Sequence, residues 1–245
     1  GSEVQILIGG ACSAALMIYA GDKIPNSILI ICIFIASSIA GMVWGLIPAA
    51  FKARFNTNET LFTLMLNYVA MQIVTFCIVF WENPAGSNVV GIINSSTKAG
   101  WFPELFGLTY GLNVLLVAIL TIGMFFFMKK SKMGYEISVV GESVDTARYA
   151  GINVKKVIMK TMALSGAICG FAGSIIVSGA SHTISTSTSG GFGFTAIIVA
   201  WMAKFNTFAM ILVSGILIFM QQGSIQIATQ FGLNENASYI ITGII

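Results

Sequence analysis

At 245 residues the chain is 56% hydrophobic and only 9% charged, with a mean hydropathy of +0.90. Soluble domains carry roughly 25% charged residues, so composition excludes a soluble globular domain and indicates a polytopic membrane protein. The net charge of +3 is concentrated in one central stretch, and basic residues nowhere interleave with aromatics, which argues against nucleic acid as a partner. The expected fold is all-α, a polytopic transmembrane helical bundle in the lipid bilayer, read as one domain over residues 1–245.

In chain order, residues 4–20 form an apolar run interrupted by Gly9, Gly10 and Ser13. It is marginal for crossing, since a span needs about 20 predominantly apolar residues. Residues 28–49 are uncharged and read as a full span, with Ser37, Gly41 and Gly45 at i, i+4 and i+8. Such a small-residue stripe lets another helix approach closely. Pro48 is expected to end or kink this helix near the membrane surface. Lys52 and Arg54 follow and belong in the cytoplasm under the positive-inside rule. Residues 61–81 form the next span and contain Asn67 and Gln72. Amides at membrane depth either tie helices together or line a path for a polar solute.

Residues 82–109 form a polar loop with one lysine and two glutamates, placed outside by its charge, and residues 110–128 cross back. Residues 129–160 then hold seven of the twelve basic residues and three of the nine acidic ones, a cytoplasmic loop. Within it GESVDTARYAG reads as a short helix. Ser143 caps its first turn, Asp145 sits at its positive end, and Gly151 closes it. Ala147 and Gly151 bracket Tyr149, an arrangement suited to a helix lying in a groove with one aromatic knob. The loop either only fixes topology or carries a docking helix.

Residues 161–181 leave the cytoplasm with a second small-residue stripe, Gly166, Gly170 and Ser174. The pattern then breaks down into SHTISTSTSGGFGF, followed by residues 194–203 and 208–220, both too short to span. Short, Gly-interrupted hydrophobic segments imply broken or re-entrant helices in the C-terminal third, tolerated only where protein or a water-filled cavity covers the backbone. That is the main pointer to a transport path. Asn67, Gln72 and the turn Gly190, Gly191, Phe192, Gly193, Phe194 are the residues expected to line it. Residues 239–245 begin another apolar segment, and both ends read as cut from a longer protein.

Chemistry of other kinds is missing from the sequence. Cys12, Cys32, Cys77 and Cys169 lie in apolar runs without a CxxC pair and read as buried free thiols. Gly191, Gly193 and Ala196 match a dinucleotide-loop spacing, but no strand precedes them and no acidic residue follows at the right distance. There is no phosphate-binding GxxxxGK[ST] loop, and His182 is the only histidine. The chain is expected to be no enzyme and to hold no metal or cofactor. The four full spans contain no Asp, Glu, Lys, Arg or His, which argues against a proton relay. Energy for uphill movement would then enter from outside the membrane, through the central loop.

The segment GYEISVVGESVDTARYAGI resembles the cytoplasmic coupling loop of permease subunits from bacterial ABC importers, in the simple-sugar and nucleoside branch of the ribose and branched-chain amino-acid permease family. NTNETLFTLMLNYVA, GGFGFTAIIVAWMAKFN and the opening SEVQILIGG resemble further stretches of that branch, so the likeness covers nearly the whole chain. The resemblance implies a permease subunit in the bacterial plasma membrane that forms the translocation path for nucleosides or simple sugars. It also implies a second permease subunit, homologous or identical, and an extracellular substrate-binding lipoprotein. A cytoplasmic ATPase subunit would hold the ATP and Mg and meet the chain at Gly141, Glu142, Ser143, Asp145, Ala147, Arg148, Tyr149 and Gly151. Departures from the family pattern are Ser138 in place of a basic residue, Ser143-Val144 in place of Asn-Pro, and Thr146 in place of Ala. The rival readings are a secondary carrier for a neutral polar solute and a membrane scaffold or receptor that transports nothing.

Overall fold

A chain immersed in hydrocarbon must satisfy its backbone within each segment, and helices do so. The computed structural model describes residues 1–230 apart from Asn56, Ala85 and Phe106, and the regular structure among them is helical. In order these are α1 (Ser2–Ala20), α2 (Asn26–Phe55), α3 (Glu59–Trp81), α4 (Gly111–Lys130), α5 (Lys132–Glu142), α6 (Val144–Tyr149), α7 (Val154–Ile176), α8 (Phe192–Met202) and α9 (Thr207–Gln230). A π-helical turn, Val177–Ser181, extends α7. Six of the described helices are long and apolar enough to cross a membrane: α1, α2, α3, α4, α7 with its extension, and α9. The chain divides into two compact units, Gly1–Gly193 and Phe194–Ile245. The apolar stretch expected from residue 239 lies outside the described residues.

The first unit is built on α1, α2 and α7. The two small-residue stripes read from the sequence meet each other. A Cβ added to Gly170 would collide with the Ser37 carbonyl, and one added to Gly41 or Gly166 would collide with the other's backbone region. Gly45 closes the seam against the Met162 carbonyl. The first helix, expected to be marginal, is instead the most buried of the six spans. Gly9 and Gly10 lower its hydropathy because they form the third side of the same junction, against Gly170 and Gly173. Above the glycines, Ser13 and Ser178 share a buried hydroxyl–hydroxyl hydrogen bond of 2.8 Å. Leu7, Ala14, Met17, Leu29, Ile33, Val74 and Val177 pack around this axis.

Two further boundaries differ from expectation. Pro48 lies inside α2, which continues to Phe55. Its ring is buried, and neighbouring helices in a bundle tolerate the lost backbone bond. In the second unit α9 runs for 24 residues, well past residue 220. Gln221, Gln222 and Ser224 lower the hydropathy without ending the helix, and the Ser224 hydroxyl donates back to the Gln221 carbonyl. α8, at 11 residues, is too short to cross.

The described residues of the polar loop 82–109 form a cap on one end of the first unit. The Asn94 amide donates to the Met17 and Ala99 carbonyls, at 2.7 and 3.0 Å. Asn26 accepts from Gly100 N–H and donates to the Trp101 carbonyl. Trp81 Nε1 donates to the Tyr19 hydroxyl, pinning α3 to the end of α1. The opposite end carries Lys52, Arg54 and the α5–α6 pair, so the spans of this unit alternate in direction.

Candidate functional site

Between the π turn and α8 the chain does not continue outward. The Ile93 N–H donates to the His182 carbonyl, which fixes residue 182 near the capped end of α1. Ile184 is buried, with its Cδ1 3.5 Å from where a Gly10 Cβ would stand. Gly191 and Gly193 then reach Glu3. Residues 183–191 therefore run back along α1 from the level of Met17 to that of Glu3, roughly 20 Å at 1.5 Å per residue. This is non-helical backbone, in the Ser/Thr/Gly segment where the helical pattern of the sequence breaks down. Its polar groups are satisfied by tight turns: Thr188 N–H donates to Ser185, Gly190 N–H to Ser187 and Phe192 N–H to Ser189. Thr186, Ser187 and Gly190 nonetheless remain exposed on the surface of the first unit.

The lower end of this segment is held by a residue the sequence reading passed over. Glu3 Oε1 accepts Gly191 N–H at 2.9 Å, and Oε2 accepts Gly193 N–H at 2.7 Å. Ser2 Oγ adds a bond to the Gly193 carbonyl. The carboxylate lies where the first backbone N–H groups of α8 need an acceptor. The glycines are dictated by geometry. Gly191 has φ +76, and a Cβ at Gly193 would run into the Glu3 backbone and carboxylate. An acidic residue immediately before an apolar run was the available signal.

The amides of α3 are separated by this frame. α3 runs beside α1 in a constant register. Thr63 lies by Gly1 and Trp81 by Tyr19, an offset of 62 residues at both ends. Asn67 is half-buried on the face that carries Ala70, Val74 and Ile78, in the same layer as Gln5 and close to that of Glu3. Gln72 is exposed and lies about 140° further round the helix. Asn67 thus lies close to the layer of Gly191 and Gly193, at the start of α8, and Gln72 does not. Phe194 belongs to the second unit.

At the other end of α7 the expected short helix is present as α6. Ser143 Oγ accepts Thr146 N–H at 3.2 Å, and Asp145 lies in the first turn, 3.4 Å from Arg148. Gly151 has φ +75, Gly151 N–H donates to the Arg148 carbonyl and Ile152 N–H to that of Ala147, a Schellman ending. Among the described residues nothing lies within 4 Å of a Gly151 Cβ, so glycine is required there by conformation and not by space. Ala147 is fully buried within the chain, whereas Tyr149 is 94% exposed. The sequence reading missed α5, whose last residues Gly141 and Glu142 lead directly into Ser143. Ser131 caps α5 by accepting Gly134 N–H.

The capped end carries a second unforeseen feature. The rings of Trp101 and His182 stack at 3.8 Å and 7°. Trp101 Nε1 donates to the Ile93 carbonyl, and His182 has left-handed backbone, φ 52. His182 Nδ1 is buried without a partner among the described residues, and burial pushes the imidazole below its ordinary value of 6.5.

A family model described as branched-chain amino acid transport system, permease component, matches residues 1–245. The chain is 28% identical over 258 residues to the guanosine ABC transporter permease protein NupP of Bacillus subtilis, covering 100% of this chain and 71% of that protein. It is 24% identical over 261 residues to the glucose ABC transporter permease protein TsgB13 of Haloferax volcanii, covering 100% and 67%. It is 27% identical over 235 residues to the nucleoside ABC transporter permease protein NupB of Lactococcus lactis, covering 91% and 64%. The chain thus spans about two thirds of the length of these relatives. No solved structure matches it. With a family match over its whole length and six apolar helices of spanning length, the chain belongs to the branched-chain amino acid transport system permease family, as a multi-pass plasma-membrane permease component of an ABC importer.

Proposed function

We propose that this permease passes a neutral polar solute of the nucleoside or simple-sugar class, along a path lined by residues 183–193 and Asn67. The observation that carries this reading is the polar, non-helical segment lying along α1 with Thr186, Ser187 and Gly190 exposed. Bare backbone and hydroxyls at membrane depth are tolerated where they line a wet cavity, and the segment carries no formal charge to select an ion. The named relatives, which handle guanosine, nucleosides and glucose, support the substrate class. Gln72 faces elsewhere on α3 and serves in the path only where a second permease subunit covers it.

In this reading the end bearing Lys52, Arg54 and α5–α6 is cytoplasmic and the 82–109 cap is outside. A separate ATPase subunit, which holds ATP and Mg, docks on α6 with Tyr149 as its projecting contact, and an extracellular lipoprotein delivers the solute. The chain itself catalyses nothing. The test is uptake by the full transporter carrying Asn67→Leu, with expression and ATPase retention monitored. Uptake should fall while assembly is intact. Unchanged transport would leave the amide as a tie between helices. Uptake that survives removal of the ATPase but collapses with an ionophore would make the protein a secondary carrier instead.

A further inference from the structure

Residues 161–181 carry no formal charge and, at 1.5 Å per residue, span roughly 31 Å, the thickness of a bilayer's hydrocarbon core. Lys160 therefore sits at the hydrocarbon boundary, and Lys156 one turn further out on the same face. α4 reaches the same boundary from its own side, being uncharged from Gly111 until Lys129 and Lys130. Two residues beyond the end of that helix, after Ser131, Lys132 begins α5. Lys132, Lys156 and Lys160 line a single concavity of about 330 Å³, together with Glu136, Gly151 and Asn153. Among the described residues the only acidic side chain lining it is Glu136, 3.9 Å from Lys132, whose own side chain is 91% exposed. The lining that the described residues supply is net positive and contains no aromatic residue, unlike the anchor sites of protein–protein interfaces.

From these observations we propose that this concavity binds the phosphodiester headgroup of an anionic phospholipid, such as phosphatidylglycerol. Depth selects a lipid over a soluble partner, because the three ammonium groups stand at the level of the headgroups. The acyl chains have an apolar surface beside them, since α4 buries none of its residues and leaves Ile119, Ile122 and Phe126 exposed. Lys129 and Lys130 lie over the Phe125 and Phe126 rings at its lower end, at 4.6 and 5.5 Å. Because Gly151 and Asn153 also line the pocket, a bound headgroup would brace the turn between α6 and α7. The inference rests on the inside placement of this end only for which leaflet supplies the lipid.

The test measures lipid binding to the full-length permease in nanodiscs and by native mass spectrometry from detergent. Phosphatidylglycerol and phosphatidylcholine are offered separately, with inorganic phosphate as competitor. A lysine near the surface contributes about fivefold in affinity, so Lys132→Gln, Lys156→Gln and Lys160→Gln together should weaken phosphatidylglycerol binding on the order of a hundredfold. Lys155→Gln, on α7 but outside the pocket, should change it little. Phosphatidylcholine should bind equally to all forms, and millimolar phosphate should not displace the lipid. Equal phosphatidylglycerol binding by the triple variant would overturn the proposal. Displacement by phosphate would overturn it in favour of a free-anion site, and lipid-independent loss of the ATPase in favour of a protein contact. Nanodiscs expose both leaflets, so inverted topology would leave binding intact, and failure of binding would leave the permease reading untouched.

Discussion

Replacing Glu3 by alanine tests whether one carboxylate holds the non-helical segment. The wild-type side chain accepts two backbone N–H groups, at 2.9 and 2.7 Å. Hydrogen bonds to a charged group contribute about 1.5–3 kcal/mol each. Glu3 is half-buried, so water competes and the lower figure applies. Part of the pair is recovered when the freed N–H groups hydrate, which leaves a loss of about 2–3 kcal/mol. That is roughly a 30- to 140-fold rise in the population of the opened turn. Ser189, 4% exposed and two residues before Gly191, reports the opening. In a background without the four native cysteines, Ser189→Cys should react with a small maleimide about 30- to 140-fold faster when Glu3→Ala is added. Glu3→Gln, which keeps one acceptor oxygen but turns an NH2 toward the second donor, should fall between. Labelling within threefold of the parent would mean that the turn is held by its own hydrogen bonds, and the reasoning would fail.

Gly170→Val should prevent α2 and α7 from closing, because the obstacle is the Ser37 carbonyl and not a mobile side chain. A loss of about 3 kcal/mol or more is expected in thermal or denaturant unfolding in detergent, and a near-silent Gly170→Val would disprove the seam. Gly151→Val meets open space but must adopt φ +75. The expected result is about 1–2 kcal/mol of local strain, read as weakened pull-down of the ATPase with little change in the melting of the bundle. For His182, the lowered pKa means that the unfolded chain takes up the proton first. Stability is therefore full above the ordinary value of 6.5 and declines as pH falls from there through the lower folded value. His182→Gln should flatten that acid limb in melting curves measured across pH. A wild type with no acid limb would mean that the Trp101 face stabilises the imidazolium enough to cancel burial.

What could be read from the sequence was governed by pattern. The stripes Ser37/Gly41/Gly45 and Gly166/Gly170/Ser174 announced a close approach, since small residues at helical spacing leave little else to explain. The ending of α6 was equally legible, because a Ser cap and a glycine needing left-handed backbone are local requirements. Hydropathy misjudged α1 and α9 for a common reason. Gly9, Gly10, Gln221 and Gln222 lower an apolar average without interrupting a helix, and the glycines of α1 are there because it is central. Glu3 escaped notice because its partners, Gly191 and Gly193, are nearly the whole first unit away in sequence. The offset between α1 and α3, which separates Asn67 from Gln72, depends on tertiary packing that no local pattern carries.

The glycine seam also limits how this bundle can drift. When two helices meet through side chains, a larger residue on one can be answered by a smaller one on the other, and the pair wanders together. Between Gly41 and Gly166, or Gly170 and the Ser37 carbonyl, there is nothing left to remove. A methyl group gained on either helix has no compensating deletion opposite. Suppressors of Gly170→Ala are therefore not expected on the facing positions of α2. They should instead appear where the backbone itself can be displaced, around Pro48 or in the turn at Asn153, and a suppressor screen would find the seam itself immovable.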